Sequence, residues 1–242
     1  GVLAASMLFT GCSKKAESKV PDKLIVGTNA EFPPFEYMND KKQPEGFDIA
    51  MIKEIGKRMG KKVEIKNMEF KSLIGAMESD SINAIIAGMT KTEKREKAVD
   101  FSDSYYTTNQ AIILKKDSKI TKLAQLDGKK IGVQEGTTGD LISSGDKFGD
   151  GKKAKVLVKG AKVKRFKKGV DAVMDLKNGS VDAVVIDELT ANEFVKKNAK
   201  KLKIVIDSAG SEYYCIALTK GNTAYKEEVN KQIKAIKEDA ES

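Results

Sequence analysis

Arg95 is one of three arginines in a chain of 242 residues whose other basic side chains are all lysines. A guanidinium can pair with a carboxylate through two parallel hydrogen bonds, which an ammonium cannot do. Arg95 follows an apolar run at residues 82–87, which predicts a strand, and ligands of open α/β sheets bind beyond the carboxyl ends of strands. Arg95 is therefore a candidate carboxylate-binding group, with a surface salt bridge as the alternative.

Two further groups follow predicted strands in the second half of the chain. Asp187 ends the apolar run at residues 183–186, where it could cap a helix or accept from a cation. Gly136-Thr137-Thr138-Gly139 follows another predicted strand and opens a helix, so its N–H groups favour an anion, although the lysine of a phosphate loop is missing. A guanidinium, N–H donors and a carboxylate are together complementary to a zwitterion.

An apolar wall for such a ligand could come from Phe32 and Phe70, which lie at a predicted strand end and a predicted helix start. Either ring alone could equally be a core residue. Thr90 and Thr92 precede the short helix that carries Arg95 and are candidate caps.

Composition excludes several classes of function. The chain has no histidine and its only cysteines are Cys12 and Cys215, so zinc sites and Ser-His-Asp or Cys-His catalysis cannot be assembled, and no cofactor or metal is predicted. The net charge of +9 comes from lysines spread along the chain without interleaved aromatic residues, which argues against nucleic-acid binding. We expect Cys215, in an apolar run, to be a small core residue.

The amino terminus has the pattern of an export signal. Residues 1–9 are apolar or small, Thr10-Gly11-Cys12 follows, and residues 13–19 are polar. This stretch resembles a bacterial lipoprotein signal, which would make Cys12 a lipid attachment site and residues 1–22 a signal remnant, anchor motif and tether. A buried helix ending at Gly11 is the alternative. We expect an extracytoplasmic, membrane-anchored protein whose sequence starts inside its signal and stops before a final helix.

From residue 23 onward, short apolar strands alternate with amphipathic helices, which predicts an α/β fold with a largely parallel sheet and two similar halves. The lysine- and glycine-rich residues 145–155 are expected to form a solvated loop. Strands are predicted at residues 24–27, 63–65, 82–87, 111–114, 131–133, 154–158, 183–186 and 214–218; helices at 47–59, 70–77, 123–126, 170–177 and 225–236, and from 138 and 189.

Six ordered blocks in this framework resemble the polar amino acid-binding proteins of ABC importers, family 3 of the bacterial extracellular solute-binding proteins. The resemblance covers nearly the whole chain from residue 23. The blocks are GTNAEFPPFEY at 27–37, EGFDI at 45–49, AGMT at 87–90 continuing to Arg95, VDFSDSYY at 99–106, QEGTTGD at 134–140 and VDAVVID at 181–187.

The resemblance implies a two-lobed periplasmic-binding-protein fold of type II, each lobe a mostly parallel sheet flanked by helices, with crossings near Asn109 and Ser208. Lobe 1 would comprise residues 23–110 and 208–242, and lobe 2 residues 111–207. It further implies a monomer, not an enzyme, that captures a free polar or cationic amino acid (arginine, lysine, ornithine or glutamine) and presents it to a membrane permease.

Site residues are also implied by the resemblance. Arg95 would bind the ligand α-carboxylate with Thr90 and the N–H of Thr138, and Asp187 would take the α-ammonium with the carbonyl of Gly88. Phe32 and Phe70 would sandwich the ligand side chain. The far end would be lined by Asn29, Glu31, Ala87, Gln134 and Gly139.

The sequence leaves open the identity of the ligand and two alternative functions. Cationic-specific relatives often carry Asp at the position of Asn29, and some relatives carry Gln at that of Gly139, so the charge of the ligand side chain is undecided. A small-acid dehydratase on the same fold would need a general acid, for which Glu31 is the only cleft candidate. A sensory domain would be marked by a downstream transmembrane helix.

Overall fold

The computed structural model describes residues 18–145 and 158–242, and side chains at 207–210 are left out of the description. Cys12, the tether up to residue 17, most of the predicted loop at 145–155 and the strand expected at 154–157 lie outside these ranges. The strands are β1 Lys23–Thr28, β2 Glu31–Phe32, β3 Glu36–Met38, β4 Pro44–Glu45, β5 Lys62–Asn67, β6 Ala84–Ile85, β7 Val99–Lys115, β8 Lys130–Gln134, β9 Lys162–Phe166, β10 Ala183–Asp187 and β11 Leu202–Thr219.

The helices alternate with these strands as the sequence pattern predicts. They are α1 Phe47–Met59, α2 Leu73–Glu78, α3 Glu93–Glu96, α4 Thr138–Ser143, α5 Gly169–Asn178, α6 Glu188–Lys196 and α7 Thr223–Glu241, with 3₁₀ turns at Phe70–Ser72 and Leu123–Leu126. The predicted α1 is confirmed, and it ends where Gly60 adopts a left-handed conformation and its N–H bonds to the carbonyls of Gly56 and Lys57.

One mixed sheet runs through the molecule in the order β5-β1-β6-β11-β7-β10-β8-β9, and a small second sheet holds β2, β3 and β4. Strand β1 pairs in parallel with β5 and β6, and β8 pairs in parallel with β9 and β10. We call the β5-β1-β6 end the first lobe and the β10-β8-β9 end the second lobe. Buried apolar strands such as β10, which packs against α4, α5 and α6, are typical of such parallel sections.

The centre of the sheet departs from the expected short parallel strands. Strands β7 and β11 are 17 and 18 residues long and pair with each other in an antiparallel arrangement. The prediction of separate strands at 111–114 and 214–218 was therefore too short, because residues 99–110 are mostly polar and hide the pattern of a strand. The β7–β11 register shifts between Asp207 and Glu212, and the lobe boundaries remain a prediction.

Apolar clusters hold each lobe and the central strands together. In the first lobe, Leu73, Met77 and Ile82 pack with Cys215, a free thiol that is 2% exposed and whose pKa burial raises to about 11. This confirms Cys215 as a core residue. Helix α7, capped by the Asn222 side chain, packs on α1 and β7. In the described ranges, no helix has the length and apolarity to cross a bilayer.

Candidate functional site

A small cavity lies between the lobes, where the chain leaves the carboxyl ends of β6, β8 and β10. Its volume is about 10 Å³, roughly the space of one water molecule. An amino acid can therefore occupy it only if the lobes move apart. The lining residues are Phe32, Phe70, Ala87, Gly88, Thr90, Arg95, Gln134, Thr137, Thr138 and Asp187.

Arg95 is buried at the cavity and joins the two lobes. It lies on α3, whose first turn is capped by the Thr92 hydroxyl accepting from the Arg95 N–H at 3.2 Å. Its Nη1 donates to the carbonyl of Thr90 at 2.6 Å and its Nη2 to the carbonyl of Gly136 at 3.0 Å, across the cleft. Burial lowers the pKa of Arg95 to about 10, so the guanidinium stays charged at neutral pH. The surface salt bridge considered above does not hold.

Asp187 supplies a carboxylate on the opposite lobe. Although it precedes α6, its side chain makes no capping hydrogen bond. Its Oδ1 accepts from Gln110 Nε2 at 2.8 Å and its Oδ2 accepts from the Tyr214 hydroxyl. Burial raises the pKa of Asp187, while these two hydrogen bonds and the charge of Arg95 oppose that rise. The carboxylate is thus not used as a helix cap, and it belongs to the lining of the cavity.

Two of the three threonines in the cavity lining share a partner that sequence reasoning missed. The hydroxyls of Thr90 and Thr138 both donate to Glu212 Oε2, each at 2.8 Å. Glu212 lies on β11 and is 4% exposed. Burial first, and the charge of Asp187 second, raise the pKa of Glu212 to about 7. The available signal was an acidic residue directly before a buried apolar strand.

Gly88 is placed by buried carboxyl groups behind the cavity. Its N–H donates to Asp48 Oδ2 at 2.7 Å, and its φ of +52° suits glycine. An added Cβ would meet the Phe32 ring at 3.0 Å. Asp48 lies beside Glu36, and burial followed by the charge of Asp48 raises the pKa of Glu36 well above its usual value. The Gly88 carbonyl, predicted to receive an ammonium, therefore sits on a fixed loop.

Comparisons with known proteins agree with this arrangement. Residues 24–242 match the family described as bacterial extracellular solute-binding proteins, family 3. The chain belongs to this family. The arginine-binding extracellular protein ArtP of Bacillus subtilis (strain 168) is 33% identical over 247 residues, covering 99% of this chain and 92% of ArtP.

Solved structures of similar proteins extend the match. An ancestral arginine-binding protein bound to arginine superposes with a TM-score of 0.81 and 43% identity, covering 92% of this chain and 95% of that one. An ancestral arginine-binding protein bound to glutamine superposes with a TM-score of 0.79 and 40% identity, covering 92% of this chain and 95% of that one. These neighbours confirm the two-lobed α/β fold. The family 3 protein is thus an extracytoplasmic substrate-binding protein of the amino acid ABC transporter class, and its relatives are solute-binding proteins rather than enzymes.

Three residues predicted to line the site of this family 3 protein stand outside the cavity lining. Asn29 lies behind it, where its Oδ1 accepts from Gln134 Nε2 at 2.7 Å and its Nδ2 donates to Met68 O at 2.8 Å. Gly139 packs on β10, and an added Cβ would meet the Val185 carbonyl oxygen at 2.6 Å. Glu31 lies on the rim, with its carboxylate 3.5 Å from Lys168 Nζ.

Ion pairs between the two lobes surround the mouth of the cleft. Each joins a lysine and a glutamate on opposite lobes, and each side chain is at least a quarter exposed. Such exposed pairs contribute about 0–1 kcal/mol each, so they add little to the stability of the closed arrangement. The pairs are Lys71–Glu135 at 3.2 Å, Lys167–Glu69 at 3.0 Å and Lys168–Glu31 at 3.5 Å.

Proposed function

We propose that this protein captures a cationic L-amino acid, arginine first, between its two lobes and delivers it to an ABC permease. The observation that carries the proposal is the pairing of buried Arg95 with buried Asp187 across one cavity. A guanidinium and a carboxylate on opposite lobes match the carboxylate and ammonium of an amino acid. In this reading Arg95 binds the α-carboxylate, and Asp187 with the Gly88 carbonyl binds the α-ammonium.

The charge balance of the site favours a ligand with a positive side chain. Arg95 brings one positive charge, whereas Asp187 and Glu212 bring two carboxyl groups into the same buried cluster. Buried charges are tolerated when they are paired. A zwitterion with a neutral side chain brings no net charge to these two carboxyl groups, whose pKa values burial raises, whereas a cationic amino acid adds a positive charge that favours their ionised forms.

Aromatic and polar groups fit a guanidinium side chain. Phe32 and Phe70 both line the cavity, and the Phe70 ring already receives the Arg95 guanidinium at 5.4 Å from its centroid. Planar guanidinium groups stack on aromatic faces, where the ring quadrupole attracts the cation. Once the lobes open, the far end of the ligand would meet Asn29 and the carboxylate of Glu31, which can exchange its exposed Lys168 partner for the ligand.

The relatives support this choice, although others among them are named as histidine-, cystine- or glutamine-binding proteins. Curated relatives carry names as arginine-binding proteins in Bacillus subtilis and Escherichia coli, and the ancestral arginine-binding protein has been solved with both arginine and glutamine. Glutamine is the second candidate here, because the amide pair of Asn29 and Gln134 could hydrogen-bond a ligand amide.

Ligand capture would work by hinge closure about β7 and β11, which run through both lobes. A ligand shifts an open–closed equilibrium only by its difference in affinity for the two forms. Contacts from Arg95 on one lobe and Asp187 on the other exist together only in the closed form. Binding energy would therefore stabilise the form that the permease reads, and a monomer suffices for this mechanism.

The test is a thermal-shift screen followed by calorimetry with arginine, lysine, ornithine, histidine and glutamine, because a ligand that binds only the native state raises the melting temperature. We expect arginine to give the largest shift. Glu31→Gln should weaken arginine binding about tenfold through loss of one charge-assisted contact and leave glutamine binding unchanged. A larger shift with glutamine, or equal losses for both ligands in that variant, would refute the arginine assignment.

We propose in addition that Cys12 carries the lipid that anchors the protein to the outer face of the membrane. The apolar stretch before it and the polar residues after it support this reading. When the full precursor is expressed in a bacterial host, the wild type should enter the detergent phase of a Triton X-114 separation and Cys12→Ser the aqueous phase. Equal partition of both would rule out the anchor.

A further inference from the structure

Glu212 accepts hydrogen bonds from two of the three threonines in the cavity lining, Thr90 and Thr138. Its Oε2 accepts from Thr90 Oγ1 of the first lobe and from Thr138 Oγ1 of the second. Its Oε1 is buried and has no hydrogen-bond partner within the described parts of the chain. A fully buried carboxylate with one unused oxygen is costly to keep, which indicates a role beyond holding the fold.

Each threonine hydroxyl has one proton, and here both protons are directed at Glu212. Thr90 and Thr138 also line the cavity, so with Glu212 ionised their oxygens offer a ligand only lone pairs, and one lone pair of Thr138 Oγ1 already accepts from Gln110 Nε2 at 3.1 Å. Asp187, likewise in the lining, is an acceptor when ionised. Thr90, Thr138 and Asp187 form a wall of the cavity that therefore presents hydrogen-bond acceptors, while the charged hydrogen-bond donors come from the guanidinium of Arg95.

We propose that Glu212 is a specificity-determining residue that fixes Thr90 and Thr138 as hydrogen-bond acceptors and thereby selects the α-ammonium of the ligand. The proposal rests on the proposed function and deepens it, since it concerns the head group that all amino acids share. A ligand with a hydroxyl in place of the ammonium supplies one donor where the wall offers several acceptors. Such a ligand leaves buried acceptors unpaired.

The protonation state of Glu212 makes the hydrogen-bonding of Thr90 and Thr138 depend on pH. The charged or titratable groups that face it are Asp187, Arg95 and the phenol of Tyr214. Burial raises the pKa of Glu212 to about 7, so near neutral pH it is divided between both forms. A protonated Glu212 would donate to one threonine and release that hydroxyl proton towards the cavity. A cationic ligand favours the ionised form, so binding should expel a proton.

The test measures how well the site distinguishes arginine from its α-hydroxy analogue, in which a hydroxyl replaces the ammonium. Calorimetry on the wild type should show at least about a hundredfold preference for arginine, and Glu212→Gln should reduce that preference about tenfold or more. Glu193→Gln, the same change on the outer face of α6, should keep the wild-type ratio. In buffers of different ionisation enthalpy, the wild type should release a proton at pH 6.5 and Glu212→Gln should release less.

A second pair of variants guards against a folding defect. Thr90→Val removes one of the hydroxyls and should reduce the preference for arginine over its α-hydroxy analogue, as Glu212→Gln does. Thr90→Ser keeps the hydroxyl and should retain that preference. If Glu212→Gln weakens arginine and the hydroxy analogue by the same factor, Glu212 is only structural and the proposal fails. A wild type that prefers glutamine defeats the arginine assignment alone, and the ratio is then measured with glutamine and its α-hydroxy analogue. A wild type that binds no amino acid overturns both proposals.

The unliganded protein gives an independent readout. Because the folded pKa of Glu212 lies above that of a free glutamate, the folded state holds its proton more tightly than the unfolded state. Its contribution to the unfolding free energy should fall as pH rises from about 4.5 to about 7 and stay constant above that range. The stability of wild type minus that of Glu212→Gln should follow this course. A difference that does not change with pH would contradict the assigned protonation.

Discussion

Replacing Arg95 by alanine is expected to weaken amino acid binding by about a hundredfold to a thousandfold, or roughly 3–4 kcal/mol. The ligand α-carboxylate would enter a buried site without the positive partner proposed for it, while Asp187 and Glu212 would lose the guanidinium whose charge they face. The bridge from Arg95 Nη2 to the Gly136 carbonyl also disappears, so the closed form loses a contact between the lobes. Titration calorimetry on the purified protein measures the loss directly.

Two companion variants separate charge from shape at this position. Arg95→Lys keeps the positive charge but has a single nitrogen where Nη1 and Nη2 now reach the Thr90 and Gly136 carbonyls, and it cannot present two parallel N–H groups to a carboxylate. We expect it to lose about tenfold in affinity. Lys94→Ala, one residue earlier on the exposed face of α3, should bind as the wild type does. Wild-type affinity in Arg95→Ala would show that the carboxylate is bound elsewhere.

The two charged groups of the site, Arg95 and Asp187, could be predicted as candidates from the sequence, because each is a suitable residue type at the end of a predicted strand. Arg95 is rare in a lysine-rich chain and follows a strand, and Asp187 ends an apolar run, so each lies where an α/β sheet places a ligand. The structure brings both to one cavity with Thr90 and Thr138. Local pattern made both residues candidates because strand, turn and candidate residue lie within a few positions of each other, whereas their roles as ligand contacts were implied by the family resemblance.

Glu212 and Gln110 could not be found in the same way. Both lie on the long central strands, and their places depend on how β7 pairs with β11 over a separation of about one hundred residues. Residues 99–110 alternate imperfectly between buried and exposed, so the periodicity that marks a strand is weak. Without that strand, nothing in the sequence places an acidic residue at 212 against threonines of both lobes.

The contacts at the far end of the predicted site depend on tertiary packing more than those of Arg95 and Asp187 do. Asn29 and Glu31 flank the cavity rather than line it, because Asn29 is engaged with Gln134 and Glu31 with Lys168. These are contacts between the lobes, and they depend on the closed geometry rather than on either lobe alone. A family pattern identifies positions near a ligand, whereas the hydrogen bonds at those positions depend on tertiary packing.

Asp187→Asn is expected to abolish most binding while leaving the unliganded protein as stable as the wild type or more stable. Binding should fall about a hundredfold or more, since the ammonium loses its charged partner. Stability should not fall, because burial raises the pKa of Asp187 and ionising a buried carboxylate opposes folding. The Asn oxygen can still accept from Gln110 or from Tyr214, whose own pKa burial raises so that its hydroxyl keeps the proton.

Opposite effects on binding and stability distinguish a ligand-binding carboxylate from a structural one. The measurement is the melting temperature of wild type and Asp187→Asn, each with and without arginine. We expect an unchanged or higher value for the unliganded variant and no increase when arginine is added. Asp171→Asn, on the exposed first turn of α5, should keep the full arginine shift. A destabilised Asp187→Asn that still responds to arginine would make Asp187 a structural acceptor for Tyr214 and Gln110 and leave the ammonium to other groups.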